Sequence, residues 1–247
     1  SSIDGTVVGD PNLSIEVELG VTDYQCTLGN FQPNTGQSAC LDADPGFFVN
    51  TTGSTTQSPC TPGSFQSAPG QTYCIQATLG HYVDVYAAID QIAASPGHFV
   101  NTTGATNQVA CSIGTYQPGL AQTTCLDADA GHFVATTGSS SQTECDYGTY
   151  QPNTGQSSCI DASAGYYVPN TASTNQTACQ VGGYQPSTGQ SHCLPADPGH
   201  FVNTIAATSQ TPCDIGSFQP LFGSDRCNSA DPGYYVPSTG STNQTAC

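Results

Sequence analysis

The sequence predicts an all-β, disulfide-rich fold, an elongated stack of 17-residue β-hairpin units coupled into 34-residue double repeats. Three regularities carry that prediction. A glycine recurs every 17 residues from Gly29 to Gly233, thirteen times, without insertion or deletion. Two positions after each of these glycines stands a Phe or a Tyr. Thirteen cysteines keep the same frame, at spacings that alternate 14 and 20. A fixed period makes each unit meet its neighbours in the same way, so stability accumulates junction by junction rather than in one central core.

Residues 1–25 precede the period and form a separate segment; 26–247 is the repeat region. Within the first segment, Ser14-Ile15-Glu16-Val17-Glu18-Leu19 alternates as a half-buried strand, preceded by Thr6-Val7-Val8 and a Gly9-Asp10-Pro11-Asn12 turn. Two roles fit such a strand. It caps the first repeat, or it pairs with another subunit by β-augmentation.

The cysteines fall at 26, 40, 60, 74, 111, 125, 145, 159, 179, 193, 213, 227 and 247. One gap, between Cys74 and Cys111, is 37 residues, which is 20 plus one extra unit of 17. That unit, residues 80–96, keeps Gly80 and Tyr82 but has no cysteine, so the 17-mer is the structural unit and disulfides decorate it. Two pairings preserve the period. In one, the 14-spaced pairs close (Cys26–Cys40, Cys60–Cys74, Cys111–Cys125, Cys145–Cys159, Cys179–Cys193, Cys213–Cys227) and Cys247 is left unpaired or available to another subunit. In the other, the 20-spaced pairs close and Cys26 is left. The first is favoured because it keeps every loop identical across the cysteine-free unit. A loop of about 15 residues closed this way contributes roughly 3 kcal/mol, which units too small to bury a core of their own require.

Each 17-mer reads as a hairpin. In the unit that begins at Gly148, a short strand carries Tyr150, Pro152-Asn153-Thr154-Gly155 turns the chain, and Gln156-Ser157-Ser158-Cys159 is expected to return. The unit from Gly233 repeats the pattern with a longer return, Ser241 to Cys247. The turn glycine is replaced by Ala87, Ala121, Ala172 and Ala206, so it tolerates variation. The repeat glycine never varies, which implies a positive φ or a close backbone approach. The aromatic two residues on is expected to point inward, and the residue directly after the glycine outward.

The pattern Cys-x-x-Gly-x-aromatic, running from Cys26-Thr27-Leu28-Gly29-Asn30-Phe31 to Cys40 and again from Cys60, Cys111, Cys145, Cys179 and Cys213, resembles the ephrin-receptor-like cysteine-rich repeats. It is similar also to the first module of tumour-necrosis-factor-receptor cysteine-rich domains. The resemblance covers 26–247 and implies the same fold, with the two motif cysteines bonded to each other. The alternate units are poor in cysteine and residues 80–96 lack the bond, so receptor ligand sites are not carried over.

Composition narrows the function. The chain has one Arg, Arg226, no Lys, 8% charged residues and a net charge of −17. Binding to nucleic-acid phosphates or to an anionic membrane through basic residues is excluded on these numbers. No run approaches the ~18 apolar residues of a membrane span. Dense, regular cysteines imply an oxidising compartment. The first residues have no basic start and no apolar run, so a mature, secreted or cell-surface chain with its leader removed is expected.

The residues with chemistry to offer fall in repeat register. His81, His98, His132 and His200 directly follow the repeat glycine, and Phe47, Tyr166 and Tyr234 fill the same position in sister units. They are expected to form one aromatic and histidine stripe, suited to stacking on a sugar or a neighbouring molecule rather than to zinc, which requires a close cluster. Asp42 with Asp44, and Asp127 with Asp129, suggest calcium; the competing reading is a turn role, because Ser substitutes freely for Asp two residues before the glycine. Asn12, Asn50, Asn101, Asn175 and Asn243 each begin an Asn-x-Ser/Thr sequon. No constellation resembles a catalytic set, and no cofactor motif is present. Regularity without a distinctive site implies a structural building block whose partners are itself, as a homopolymer, and attached glycans. The alternative is the stalk of an adhesin or receptor that binds glycan or protein through the stripe. Cys247, the first cysteine of another repeat, is expected to continue into further sequence or into a neighbouring subunit.

Overall fold

The computed structural model describes residues 13–18 and 21–247, with 13–18 and 21–24 given by their backbone alone. All regular structure among these residues is β-strand. Strand β1 (Leu13–Glu18) pairs antiparallel with β2 (Val21–Cys26), in register from Leu13 opposite Cys26 to Glu18 opposite Val21. The alternating stretch is therefore a strand, and its partner is the chain's own next segment. Leu19, Thr6-Val7-Val8, the Gly9–Asn12 turn and the Asn12 sequon lie outside the described residues.

Thirteen short hairpins follow, each with two residues per strand. In the Gly148 repeat, Thr149 and Tyr150 pair with Asp161 and Ile160. The return strand thus lies beyond Cys159, not in Gln156–Cys159 as the turn chemistry predicts. The loop residues are committed elsewhere. Buried Gln151 holds the loop from inside: its Nε2 donates to the Ser158 carbonyl at 2.9 Å and its Oε1 accepts the Asn153 N–H at 3.1 Å. The turn glycine, Gly155, donates its N–H to the Ala128 carbonyl of the preceding repeat at 2.8 Å. In the last repeat, likewise, only Thr245–Ala246 of the expected return run pairs with Tyr234–Tyr235.

The core also differs from expectation. The aromatics from Phe31 to Phe218 are half-buried, as are most of the residues beside them, so strand alternation does not divide inside from outside; Tyr235, in the last repeat, is exposed. What is buried is the residue three before the glycine, Cys or Ala, and the residue three after it, Gln or Val. Cys145, Cys179, Ala128 and Ala162 are 0% exposed, and Val168 likewise. Backbone-to-backbone bonding between repeats explains this choice, since chains that close leave room for small side chains only.

Each junction uses three such bonds. Gly148 N–H donates to the Val168 carbonyl (2.9 Å), Gln151 N–H to Ser173 (3.0 Å), and Ala172 N–H to Cys145 (2.9 Å). The same triplet recurs from Gly29 to Gly97 and from Gly131 to Gly216. It holds for the cysteine-free repeat too, where Gly80 bonds Val100, Val83 bonds Ala105 and Gly104 bonds Ala77. The hairpin stack therefore does not depend on the disulfides. The six 14-spaced pairs are bonded, with Cα–Cα distances of 5.7–5.8 Å, and Cys247 is free and exposed.

A second contact skips one repeat. The Cα of Gly148 lies against the carbonyl of Gly189, the turn glycine two repeats on, and a methyl group at Gly148 would overlap it. Gly29 meets Gly70, Gly46 meets Ala87, and Gly182 meets Gly223 in the same manner. The repeat glycines also have φ between +79° and +88°. Both reasons for an invariant glycine therefore operate at once. Within each unit a repeat therefore touches both its next neighbour and the one after. Alternate repeats then line up in columns.

The chain forms two compact units. The first runs to Cys111 and includes Gln117–Cys125; the second comprises Ser112–Tyr116 and Leu126–Cys247. Within the first, the extra 17-mer at 80–96 shifts the columns by one. The disulfide-bearing repeat of Gly63 contacts Gly104, in a repeat without a cystine, while Gly80 contacts Ala121, inside the Cys111–Cys125 loop.

Two expectations follow. Gly148→Ala should cost about 3 kcal/mol or more, because neither the backbone it meets nor its φ can relax. Gly155→Ala should cost only about 1 kcal/mol, as its φ of +69° lies near the +53° that Ala172 adopts at the same position in the next repeat. Denaturant titration of both variants checks this, and equal losses would refute the skip-one contact. Trypsin should cut once, after Arg226, and Cys213–Cys227 should hold the pieces together until reductant is added. Fragments that part without reductant would contradict that bond.

Candidate functional site

The residues after the repeat glycines are half-buried at Phe47, His81, His98, His132, Tyr166 and His200, and 45% exposed at Tyr234. They do not form one stripe. In the second unit His132, Tyr166, His200 and Tyr234 belong to repeats joined by the skip-one contacts Gly131–Ala172, Gly165–Ala206 and Gly199–Gly240, so they share a column. In the first unit Phe47 and His81 share a column through Gly46–Ala87. His98 lies in the other column, with the repeat of Gly63, because 80–96 is one unit rather than two.

The four histidines have a common setting. Nδ1 lies 3.2 Å from the Leu79 carbonyl in His81 and 3.3 Å from Pro96 in His98. It lies 3.4 Å from Ala130 in His132 and from Pro198 in His200. A carbonyl oxygen only accepts, so these contacts are hydrogen bonds in the tautomer that carries its proton on Nδ1 and leaves Nε2 as the acceptor; at His81 the Thr78 hydroxyl also lies 3.2 Å from Nδ1. The local turn at the glycine aims that carbonyl, which is why the geometry repeats.

The aspartates two residues before the glycine have a defined occupation. Asp44 N–H donates to Gln57 Oε1 at 2.7 Å, and Gln57 Nε2 returns a bond to Asp44 Oδ2 at 2.6 Å. Asp129 makes the same pair with Gln142, and Asp197 with Gln210. Where Ser163 replaces the aspartate, its N–H still binds Gln176 Oε1 at 2.7 Å. The backbone bond is thus common to the repeats without a cystine, and a carboxylate adds a second; in the disulfide-bearing repeat of Gly148, Asp146 Oδ1 instead accepts the Tyr147 N–H at 2.7 Å. Asp42 and Asp127 are exposed on strands opposite Asn30 and Thr115. Among the described residues no three His, Cys, Asp or Glu side chains gather as a metal site would require.

Asn50, Asn101, Asn175 and Asn243 are all exposed and sit in the cysteine-free repeats, four or ten residues after the glycine. Open depressions of about 470 and 410 Å³ occupy related positions beside cystines. Phe133 faces Cys145–Cys159 in one, and Tyr167 faces Cys193 in the other. Sequence reasoning missed the two glutamine clamps, although Gln stands three after the glycine in every disulfide-bearing repeat and eleven after it in every other.

No family model matches the chain, and no curated protein matches it. The likeness to ephrin-receptor-like repeats rests on the cysteine, glycine and aromatic spacing.

The histidine geometry is testable. Long-range proton–nitrogen NMR above the imidazole titration should find His81, His98, His132 and His200 as the Nδ1–H tautomer, against the Nε2–H form that free histidine prefers. Nε2–H signals at these positions would refute the carbonyl bonds.

Proposed function

We propose that the chain is an extracellular structural protein, a subunit of a fibre, filament or cell-surface appendage that associates with itself and carries N-linked glycans at its exposed sequons. The observation that supports this most is the repeated junction: three backbone bonds that recur from 17-mer to 17-mer, with a glycine contact to the repeat after next at most of them. Such a fold buries a ladder of small residues. Its polar groups are spent on holding loops, as the Gln151 and Gln57 clamps are.

Six disulfides accord with an oxidising, extracellular setting. Among the described residues no helix is long and apolar enough to cross a membrane. One cation against a net charge of −17 argues against polyanionic partners. A second reading, an adhesin or receptor stalk that binds glycan, draws on the shared column of His132, Tyr166, His200 and Tyr234.

Negative-stain electron microscopy of the purified protein distinguishes the two. Long filaments with an axial repeat are expected, and isolated particles at every concentration would remove the fibre reading.

A further inference from the structure

The exposed sequons of the repeats without a cystine stand at two different positions. Asn50 and Asn101 lie four residues after the repeat glycine, and Asn175 and Asn243 lie ten after it. Accessibility does not separate the two pairs, since all four asparagines are exposed. Nor does the motif, since each sequon ends in Thr and has no proline in the middle. They differ in how the two residues that complete the sequon are held. At the first position no strand holds them. Asn50-Thr51-Thr52 and Asn101-Thr102-Thr103 are exposed throughout and lie in the hairpin loop, between the junction bonds of Val49 and Gly53 and of Val100 and Gly104. The side-chain bonds between Thr51 and Ser54 are internal to that loop.

At the second position both residues are tied down. The middle one is the clamp glutamine. Gln176 Oε1 accepts the Ser163 N–H at 2.7 Å; Gln244 Oε1 accepts the Asp231 N–H at 2.7 Å, and its Nε2 donates to Asp231 Oδ2 at 2.6 Å. The hydroxyl residue is in the return strand, with Thr177 opposite Tyr167 and Thr245 opposite Tyr235. Two residues beyond Thr177 stands Cys179, which is bonded to Cys193 and donates its N–H to the Gly165 carbonyl at 2.9 Å.

We propose that the two positions are glycosylated in different states of the chain: Asn50 and Asn101 in the folded protein, Asn175 and Asn243 only before their hairpins close. The inference rests on the reading of the chain as N-glycosylated and adds which of its sites compete with folding. In the transfer, the Asn amide nitrogen bonds to the anomeric carbon of an oligosaccharide carried on a lipid phosphate. The bond from that carbon to the phosphate breaks, the lipid phosphate leaves with the electron pair, and the amide gives up one proton to the transferase. The transferase takes up the asparagine and the hydroxyl residue together, so the whole sequon must leave its own bonds and lie in the enzyme. A loop reaches such a state at little cost, whereas a paired strand reaches it at close to the cost of unfolding. For Asn175 the segment gives up the clamp, the strand pair and the backbone beside a cystine at once. Closure of Cys179–Cys193 therefore ends the interval in which Asn175 is an acceptor.

The test presents the unglycosylated, oxidised protein to a purified oligosaccharyltransferase with its lipid-linked oligosaccharide, beside the same protein reduced, alkylated and shown by circular dichroism to be unfolded. Occupancy at each asparagine is read by peptide mass spectrometry. The folded protein should be modified at Asn50 and Asn101, and at least about tenfold less at Asn175 and Asn243. The unfolded chain should accept at all four. Two variants separate position in the repeat from place along the chain, since both loop sequons precede both strand sequons. Ala135→Asn completes a sequon with Thr137 at the loop position of a later repeat, and should be modified in the folded protein. Val109→Thr completes one that begins at Asn107, at the strand position of an earlier repeat, and should be refused until the chain is unfolded. Each variant is first shown to keep its cystines on a non-reducing peptide map. Folded protein modified equally at the two positions, or refused at both, overturns the proposal and leaves glycosylation standing. So do variants that follow their place along the chain rather than their position in the repeat. An unfolded chain that accepts at none of the four sites overturns the proposal and the glycan reading together.

Discussion

The contact between a repeat glycine and a turn carbonyl two repeats away constrains the rest of the fold. It admits no Cβ where a second neighbour follows, and the positive φ, which Gly216 and Gly233 share without that contact, keeps the glycine at every repeat. It also fixes the length of the unit. An inserted or deleted residue would move the carbonyl away from its glycine and break the three hydrogen bonds of the junction together. A period of 17 kept over thirteen repeats is what this constraint demands. The variability of the turn position follows from the same geometry. The atom that packs there is a backbone oxygen, so Ala87, Ala121, Ala172 and Ala206 supply it as well as glycine, at φ of 53–55°.

With backbones this close, the interior is one small side chain deep, and the chain fills it in two ways. Ala with Val makes an apolar filling that needs no partner. Cys with Gln makes a covalent and polar one, in which the cystine closes the loop and the glutamine satisfies the loop's N–H and C=O from inside. Each buried amide would be costly on its own, at about 1–3 kcal/mol if left unpaired. Gln66, Gln117, Gln185 and Gln219 avoid that by the same two bonds that Gln151 makes. Glutamine and cystine therefore form one device. The cysteine-free repeat at 80–96 has Val83 in place of the glutamine, as that pairing requires.

Much of this was legible in the sequence. Period, hairpins, cystine pairing and the reason for the invariant glycine could all be read from spacing, because each is set by local chain geometry. The core could not. Strand alternation assigns the aromatic to the interior, whereas strands of two residues are too short for alternation to govern burial, and Ala43 or Val49 gives no signal as conspicuous as Phe48 beside it. The return strand was misread because turn residues indicate where a chain bends, not which neighbour its N–H groups will bond. The single stripe of histidines and aromatics was misread for a third reason. Period shows that positions are equivalent, but not which repeats touch.

Which repeats touch decides what the surface can do. With alternate repeats in contact inside a unit, an even number of 17-mers keeps a feature in its own column, and an odd number moves it to the other. The repeat at 80–96 is such an odd insertion. Before it, the cystines lie in the column of Gly29 and Gly63; within the same unit, the column that follows from Gly80 acquires the Cys111–Cys125 loop. His98 is separated from His81 by the same step. A single cysteine-free unit costs the fold little, since its junctions retain all three backbone bonds. It nevertheless changes, within the first unit, which column carries the cystine and which carries the histidine ring. In a protein whose interior repeats so strictly, repeat parity is a means of varying the surface without disturbing the core.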